Sequence, residues 1–206
     1  MNASGVLERV WLWVKWPVIV LAVGFVAFAI WGTMLALDKD KTDAAVAQIH
    51  AQKLTLADVV GANLPSVPDQ AENDATVAGI DTNNNGIRDD VELAIFAKYP
   101  NSPQIRAAAL QYAMAEQMYL TRVFNEGTWG KVAEEADRAF FCIMSLRPGE
   151  DYGSYIFART YAKEVEGLIF NTQSRKNARE AAFEFTTSYG STEKETCDVD
   201  LNTLPK

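Results

Sequence analysis

Twelve consecutive residues, Asp81 to Glu92, read DTNNNGIRDDVE. Oxygen-bearing side chains fall at positions 1, 3, 5, 9 and 12 of this stretch, with glycine at position 6. A hard cation such as calcium takes six to eight oxygen ligands, and this spacing can wrap one ion in a single short loop. The competing reading is an Asn-rich turn in which Asp89 or Asp90 merely caps the following helix. Either way the stretch points to binding or turning, and to no reaction.

The stretch resembles the calcium-binding loop of EF-hands and of the shorter EF-like repeats in bacterial surface modules. That resemblance implies a ligand set of Asp81, Asn83 and Asn85 by side chain, Ile87 by its backbone carbonyl, Asp89 directly or through water, and Glu92 bidentately. Gly86 would make the sharp turn that needs φ > 0. The likeness covers twelve of 206 residues and departs from the pattern in two places. Position 8, usually aliphatic for pairing with a second loop, is Arg88. The preceding residues, NDATVAGI, carry Gly79 and a β-branched pair, which argues against an entering helix. No second loop of this type follows, so a lone EF-like loop leading into one helix is expected. The NGIRDDVE segment is also similar to one in Gram-negative envelope proteins, a resemblance that brings no activity with it.

Other chemistry is sparse. His50 is the one histidine. That excludes multi-histidine zinc sites and the Glu-x-x-His pairs of helical di-iron proteins, and it argues against Ser-His-Asp and Cys-His nucleophiles. Neither GxxxxGK[ST] nor GxGxxG is present. Glu116, Glu126, Glu134, Glu135, Glu164, Glu166, Glu180 and Glu184 alternate with Lys and Arg and read as solvated helix faces. Two of them acting together could instead cleave a glycoside. Tyr152, Tyr155, Phe157 and Tyr161 recur at helical spacing and read as core, with a ligand groove as the alternative.

The elements that position the loop begin with a membrane span. From Pro17 to Leu37 no residue is charged. About 20 helical residues cross the roughly 30 Å hydrocarbon core of a bilayer. Trp11, Trp13 and Trp16 cluster at one end and Trp31 lies near the other, as at a lipid interface. The run exceeds the apolar stretch of a signal peptide and lacks a small-residue cleavage site, so an uncleaved anchor is expected. Arg9 and Lys15 precede the span and Lys39 and Lys41 follow it, so flanking charge does not orient it.

Cys142 lies in an apolar run, FFCIM, and Cys197 in a polar tail, TEKETCDVD. A bridge between them would pin the tail to the helices and requires an oxidising compartment; two unpaired thiols are the alternative. The bridge and a loop needing abundant calcium both place the C-terminal domain outside the cytoplasm, in the periplasm or beyond, on an inner-membrane anchor. Beyond residue 37 the chain carries 17 basic and 26 acidic residues, a net charge of −9. That surface repels nucleic acid.

The resulting division is a short cytoplasmic N-terminus (1–16), the anchor (17–37), a Pro-interrupted stalk or linker (38–80), the loop (81–92), a helical bundle (93–190) and a tail (191–206). The fold class is all-α. Helices are predicted from Asp89 to Lys98 and from Pro103, with Asn101 or Ser102 as its cap. A third is expected to start after a break bracketed by Gly127 and Gly130 and to end at Pro148. A fourth runs from Tyr152 to Phe170, and a fifth to Gly190. Short connections favour antiparallel neighbours. The expected function is that of a non-catalytic, membrane-anchored, extracytoplasmic calcium-binding protein, a structural or protein-interaction module whose partners are the bilayer and an unidentified protein. An accessory or immunity-type subunit of a membrane complex is the alternative, and a peptidoglycan hydrolase a more distant one.

Overall fold

The computed structural model describes residues 3–147, 149, 152–190 and 196–204, with backbone alone at 3–10, 12 and 14. Pro148 and the start of the tail at Ser191 lie outside the described residues. Among the described residues every element is helical. The chain divides into two units, residues 1–44 and 45–206.

The first unit consists of the long helix α1, which spans Ala3–Ala51 as a whole. Its segment Lys15–Ala51 is long and apolar enough to cross a membrane. Val20, Leu21, Phe25, Phe28 and Trp31 are all exposed. Water would tolerate so continuous an apolar surface poorly. Pro17 sits inside the helix.

The second unit begins with the last turns of α1, where Ile49 is fully buried. Residues 54–80 differ from the expected spacer. They fold into two short helices, α2 (Leu56–Val60) and α3 (Gln70–Asp74), and bury Leu54, Val59 and Asn73. A Thr55–Asp58 capping box starts α2, and left-handed Gly61 (φ 75°) ends it. The remaining helices are α4 (Asp89–Lys98), α5 (Pro103–Thr121), α6 (Glu126–Ser145), α7 (Tyr152–Ile169) and α8 (Gln173–Phe183), with a 3₁₀ turn at Leu201–Thr203.

Helix α5 is central: α2, α4, α6, α7 and α8 all pack on it. Every residue from Arg106 to Tyr119 is buried. Its run AAALQYAMAEQM is rich in small residues, which let neighbours approach on every side. Two local readings need correction. An Asn125–Thr128 capping box starts α6 at Glu126, so Gly127 and Gly130 lie inside the helix and make no break. Helix α8 ends at Phe183, short of Gly190, and Tyr189 meets Trp129 edge-on at 5.7 Å. Ser102 starts α5 without a side-chain cap, leaving Pro103 in the first turn.

Buried arginines tie the irregular segments to the helices. Arg175 in α8 donates to the carbonyls of Asn73, Thr76 and Val77 and to the side chains of Asp74 and Asn171. Arg106 in α5 donates to the carbonyls of Val59, Tyr99 and Pro100. The C-terminal segment is held by the Cys142–Cys197 disulfide, whose Cα atoms lie 4.9 Å apart. Asp198 adds contacts to Arg138 (2.6 Å) and to the amide of Leu54 (2.9 Å). The expected bridge is therefore present, and the tail also has its own polar anchors.

Candidate metal centre

The Asp81–Glu92 loop enters without a helix, as the β-branched pair and Gly79 implied, and leads directly into α4. Its turn is made by Asn84 (φ 57°) and Gly86 (φ 84°), both left-handed. The side chains fold inward onto the loop's own amides. Asp81 Oδ2 accepts from Gly86 N at 2.8 Å and Oδ1 from Asn85 N at 3.2 Å. Asn85 Oδ1 accepts from Ile87 N at 2.9 Å. These short-range bonds curl twelve residues around one interior.

Glu92, one turn into α4, reaches back to that interior, where its Oε2 accepts from Asn83 Nδ2 at 3.0 Å. Asn85 Nδ2 is buried and lies near the same carboxylate. Asp89 lies to one side. Its carboxylate accepts from the amide (2.9 Å) and hydroxyl (2.6 Å) of Thr82. Asp89 therefore fastens Thr82 and does not cap α4, whose N-cap Arg88 makes no side-chain cap bond, while Asn83 and Asn85 link Asp81 to Glu92. Ile87 is fully buried.

The electrostatics are one-sided. Glu92 and Asp89 are each only 1% exposed. Among the described residues no Lys, Arg or His pairs with Asp81, Asp89 or Glu92. Arg88, next in sequence, turns away to Asp90 and to the carbonyls of Leu168 and Ile169 at the end of α7. That explains the departure at loop position 8: Arg88 ties α4 to α7. Burial raises the pKa of both Asp81 and Glu92. Backbone amides of Gly86 and Asn85 partly offset this at Asp81, and the Asn83 and Asn85 amides do so at Glu92. Asp58 and Asp89 push Glu92 further up. Asp58, the capping residue of α2, is a carboxylate near the loop that no local spacing connects to it.

Among the described residues no three His, Cys, Asp or Glu side chains form a ready cage for a metal. The loop's donor set is of another kind, two carboxylates supplemented by amide and backbone oxygens, as a hard cation accepts. Asn83 presents its nitrogen to Glu92, so ligation by its Oδ1 requires a half-turn of that amide.

Of the eight helical glutamates, Glu126, Glu164, Glu180 and Glu184 are exposed as the solvated-face reading expects and Glu166 is half-buried, but three depart from it. Glu116, Glu134 and Glu135 are buried. Glu135 pairs with Arg138 at 2.6 Å and with Lys53 at 3.0 Å, and Glu134 with Lys131 at 2.9 Å. Glu116 lies on central α5 with a buried, unpartnered Oε2. Burial pushes its pKa up to about 7, against the pull of Arg179. Beside it, Tyr112 donates to Glu166 at 3.0 Å, and Arg159 holds the same oxygen at 2.7 Å. Of the four helical aromatics, Phe157 and Tyr161 pack on the core, whereas Tyr152 and Tyr155 are exposed. His50 approaches Glu135 at 3.5 Å.

No family model, curated protein or solved structure matches this sequence.

Proposed function

We propose that this chain is a non-catalytic, single-pass membrane protein whose helical body lies outside the cytoplasm, holds one calcium ion at residues 81–92 and engages another protein. The observation that carries the metal reading is half-buried Asp81 and fully buried Glu92 in one oxygen-rich loop, both with Asp89 as a like-charged neighbour and neither with a facing cation. Uncompensated buried carboxylates are costly, and a bound cation removes that cost. Calcium would supply a compact double positive charge there. Asp81, Asn83, Asn85, Glu92 and the Ile87 carbonyl would hold it, with Asp89 orienting Thr82 at the rim. The disulfide and the apolar helix support placement outside the cytoplasm, since bridges persist in oxidising compartments.

The test is thermal. With a Kd of about 100 μM, in the range of extracellular modules, 1 mM calcium stabilises the native state by about 1.4 kcal/mol, from RT ln(1 + [L]/Kd). Chelator should lower the melting temperature of the body, and Asp81→Ala should abolish that response. Superimposable melts in calcium and in chelator would reject the metal reading.

An accessory-subunit role draws on a different feature. Phe141 on α6 and Tyr152, Tyr155 and Ile156 on α7 are exposed, and Phe140 bridges them by ring contacts to Phe141 and Tyr155. Co-purification of one stoichiometric partner from solubilised membranes, lost on Tyr155→Ser with Ile156→Ser, would support it. A clean monomer would count against it.

A further inference from the structure

We infer that occupancy of the 81–92 loop is coupled to docking of the last turn of α1 through the contact between Gln52 and Gly86. This rests on the metal reading above.

Gln52 follows the last helical residue of α1, and its amide closes the final turn onto Gln48 O at 3.1 Å. Its side chain lies directly on the loop. A methyl group built on Gly86 would fall 1.6 Å from Gln52 Nε2 and 2.7 Å from its Cδ. Gly86 also gives its amide to Asp81 Oδ2. One glycine therefore holds the first ligand carboxylate on one side and carries the end of α1 on the other. A second tie runs alongside, from Arg122 Nη1 to Gln48 Oε1 at 2.9 Å.

The space around this contact is loosely filled. A cavity of about 240 Å³ is lined by Gln52, Asp81, Gly86, Gln117 and Arg122, among others. Gln117 donates to Ala78 O at 2.7 Å, while its Oε1 is buried and unpartnered. The loop thus has room to shift on this side, and Gln52 is in its path. Without a cation, Asp81 and Glu92 face Asp89 across a poorly solvated interior, and like charges favour expansion. Because Gly86 is tied to Asp81, expansion moves the surface on which Gln52 rests. In paired hands, metal reorients the entering and exiting helices. Here residues 75–80 form no helix, and the end of α1, some thirty residues upstream, lies against the loop instead. Coupling is reciprocal, so whatever loosens Gln52 weakens the metal by the same factor.

The experiment uses the full chain in detergent micelles, with calcium chloride against a chelator. Calcium affinity is measured by competition with a chelating dye, and hydrogen exchange is followed for the amides of residues 46–53. Calcium should slow that exchange. Gln52→Ala retains the whole ligand set, yet should lose most of the slowing and bind calcium about fivefold more weakly or worse, the lower end of typical coupling. Equal affinity in wild type and Gln52→Ala, with exchange at 46–53 indifferent to calcium in the wild type, would overturn the coupling and leave the metal site standing. Absence of calcium binding by the wild type would overturn both, and the affinity measurement alone identifies that case.

Discussion

Glu116 makes the body's stability depend on pH in a direction opposite to that of ordinary carboxylates. It is 4% exposed on α5, the helix on which α2, α4, α6, α7 and α8 pack. Its pKa in the folded chain is pushed up from 4.5 to about 7, chiefly by burial. A group whose folded pKa is raised stabilises the native state fully below its unfolded pKa and withdraws that stability as pH rises through the folded one. At about 1.36 kcal/mol per pKa unit, the whole effect is roughly 3 kcal/mol. Part of it is already lost by pH 5, so about 2–3 kcal/mol should disappear between pH 5 and pH 8. For a body of this size that corresponds to a fall of roughly 5–10 °C in Tm. Trp129 is the one tryptophan in residues 45–206 and makes tilted or edge-on ring contacts with Tyr119, Phe183 and Tyr189, so its emission reports melting of the body. The assay is a series of melts of the full chain in detergent between pH 5 and pH 8 at fixed calcium, for wild type and Glu116→Gln. The amide cannot ionise, so the variant should lose most of the slope and exceed the wild type at pH 8 relative to pH 5. Parallel pH profiles for the two proteins would refute the argument. They would mean that Glu116 stays ionised, compensated by Arg179 or by water.

Three further outcomes are expected. Arg175→Ala removes a fully buried guanidinium from the carbonyls of Asn73, Thr76 and Val77, and leaving the buried carbonyl unpaired costs about 1–3 kcal/mol. Limited proteolysis should then open the chain between residues 70 and 80 before the helices. Replacing both Cys142 and Cys197 by serine frees a 55-residue separation, worth about 4 kcal/mol on the chain-entropy model. Exchange protection near Leu54 should survive, because Asp198 still holds that amide. Calcium affinity, titrated with a dye from pH 7 downward, should decline as Asp81 and Glu92 take up protons, and the decline should begin above the usual carboxylate range because burial raises both pKa values. A flat affinity over that range would count against their role as ligands.

The sequence by itself determined the features that arise from contiguous residues. The uncharged run from Pro17 to Leu37 is helical and apolar because no residue in it offers another course. The curl of DTNNNGIRDDVE comes from side chains bonding amides two to five positions away, and Gly86 turns left-handed where spacing required it. The Asp89–Lys98 helix keeps its expected limits, since Arg88 and Pro100 bound it from outside. Only the tertiary structure decided which polar groups are buried. Periodicity identifies the one face a helix buries against a single layer. Helix α5 is enclosed on all sides, so Glu116 and Gln117 are buried with no mark in the local pattern. Residues 54–80 looked like a spacer because their Pro, Asp and Asn residues are weak formers of regular structure. They are ordered by Arg175 and Arg106, 47 to 102 positions away along the chain, whose guanidinium groups satisfy backbone carbonyls that would otherwise need water. The same holds at the loop. Its ligand pattern is local and legible, whereas Gln52 resting on Gly86, and Asp58 beside Glu92, exist only because the chain folds back on itself.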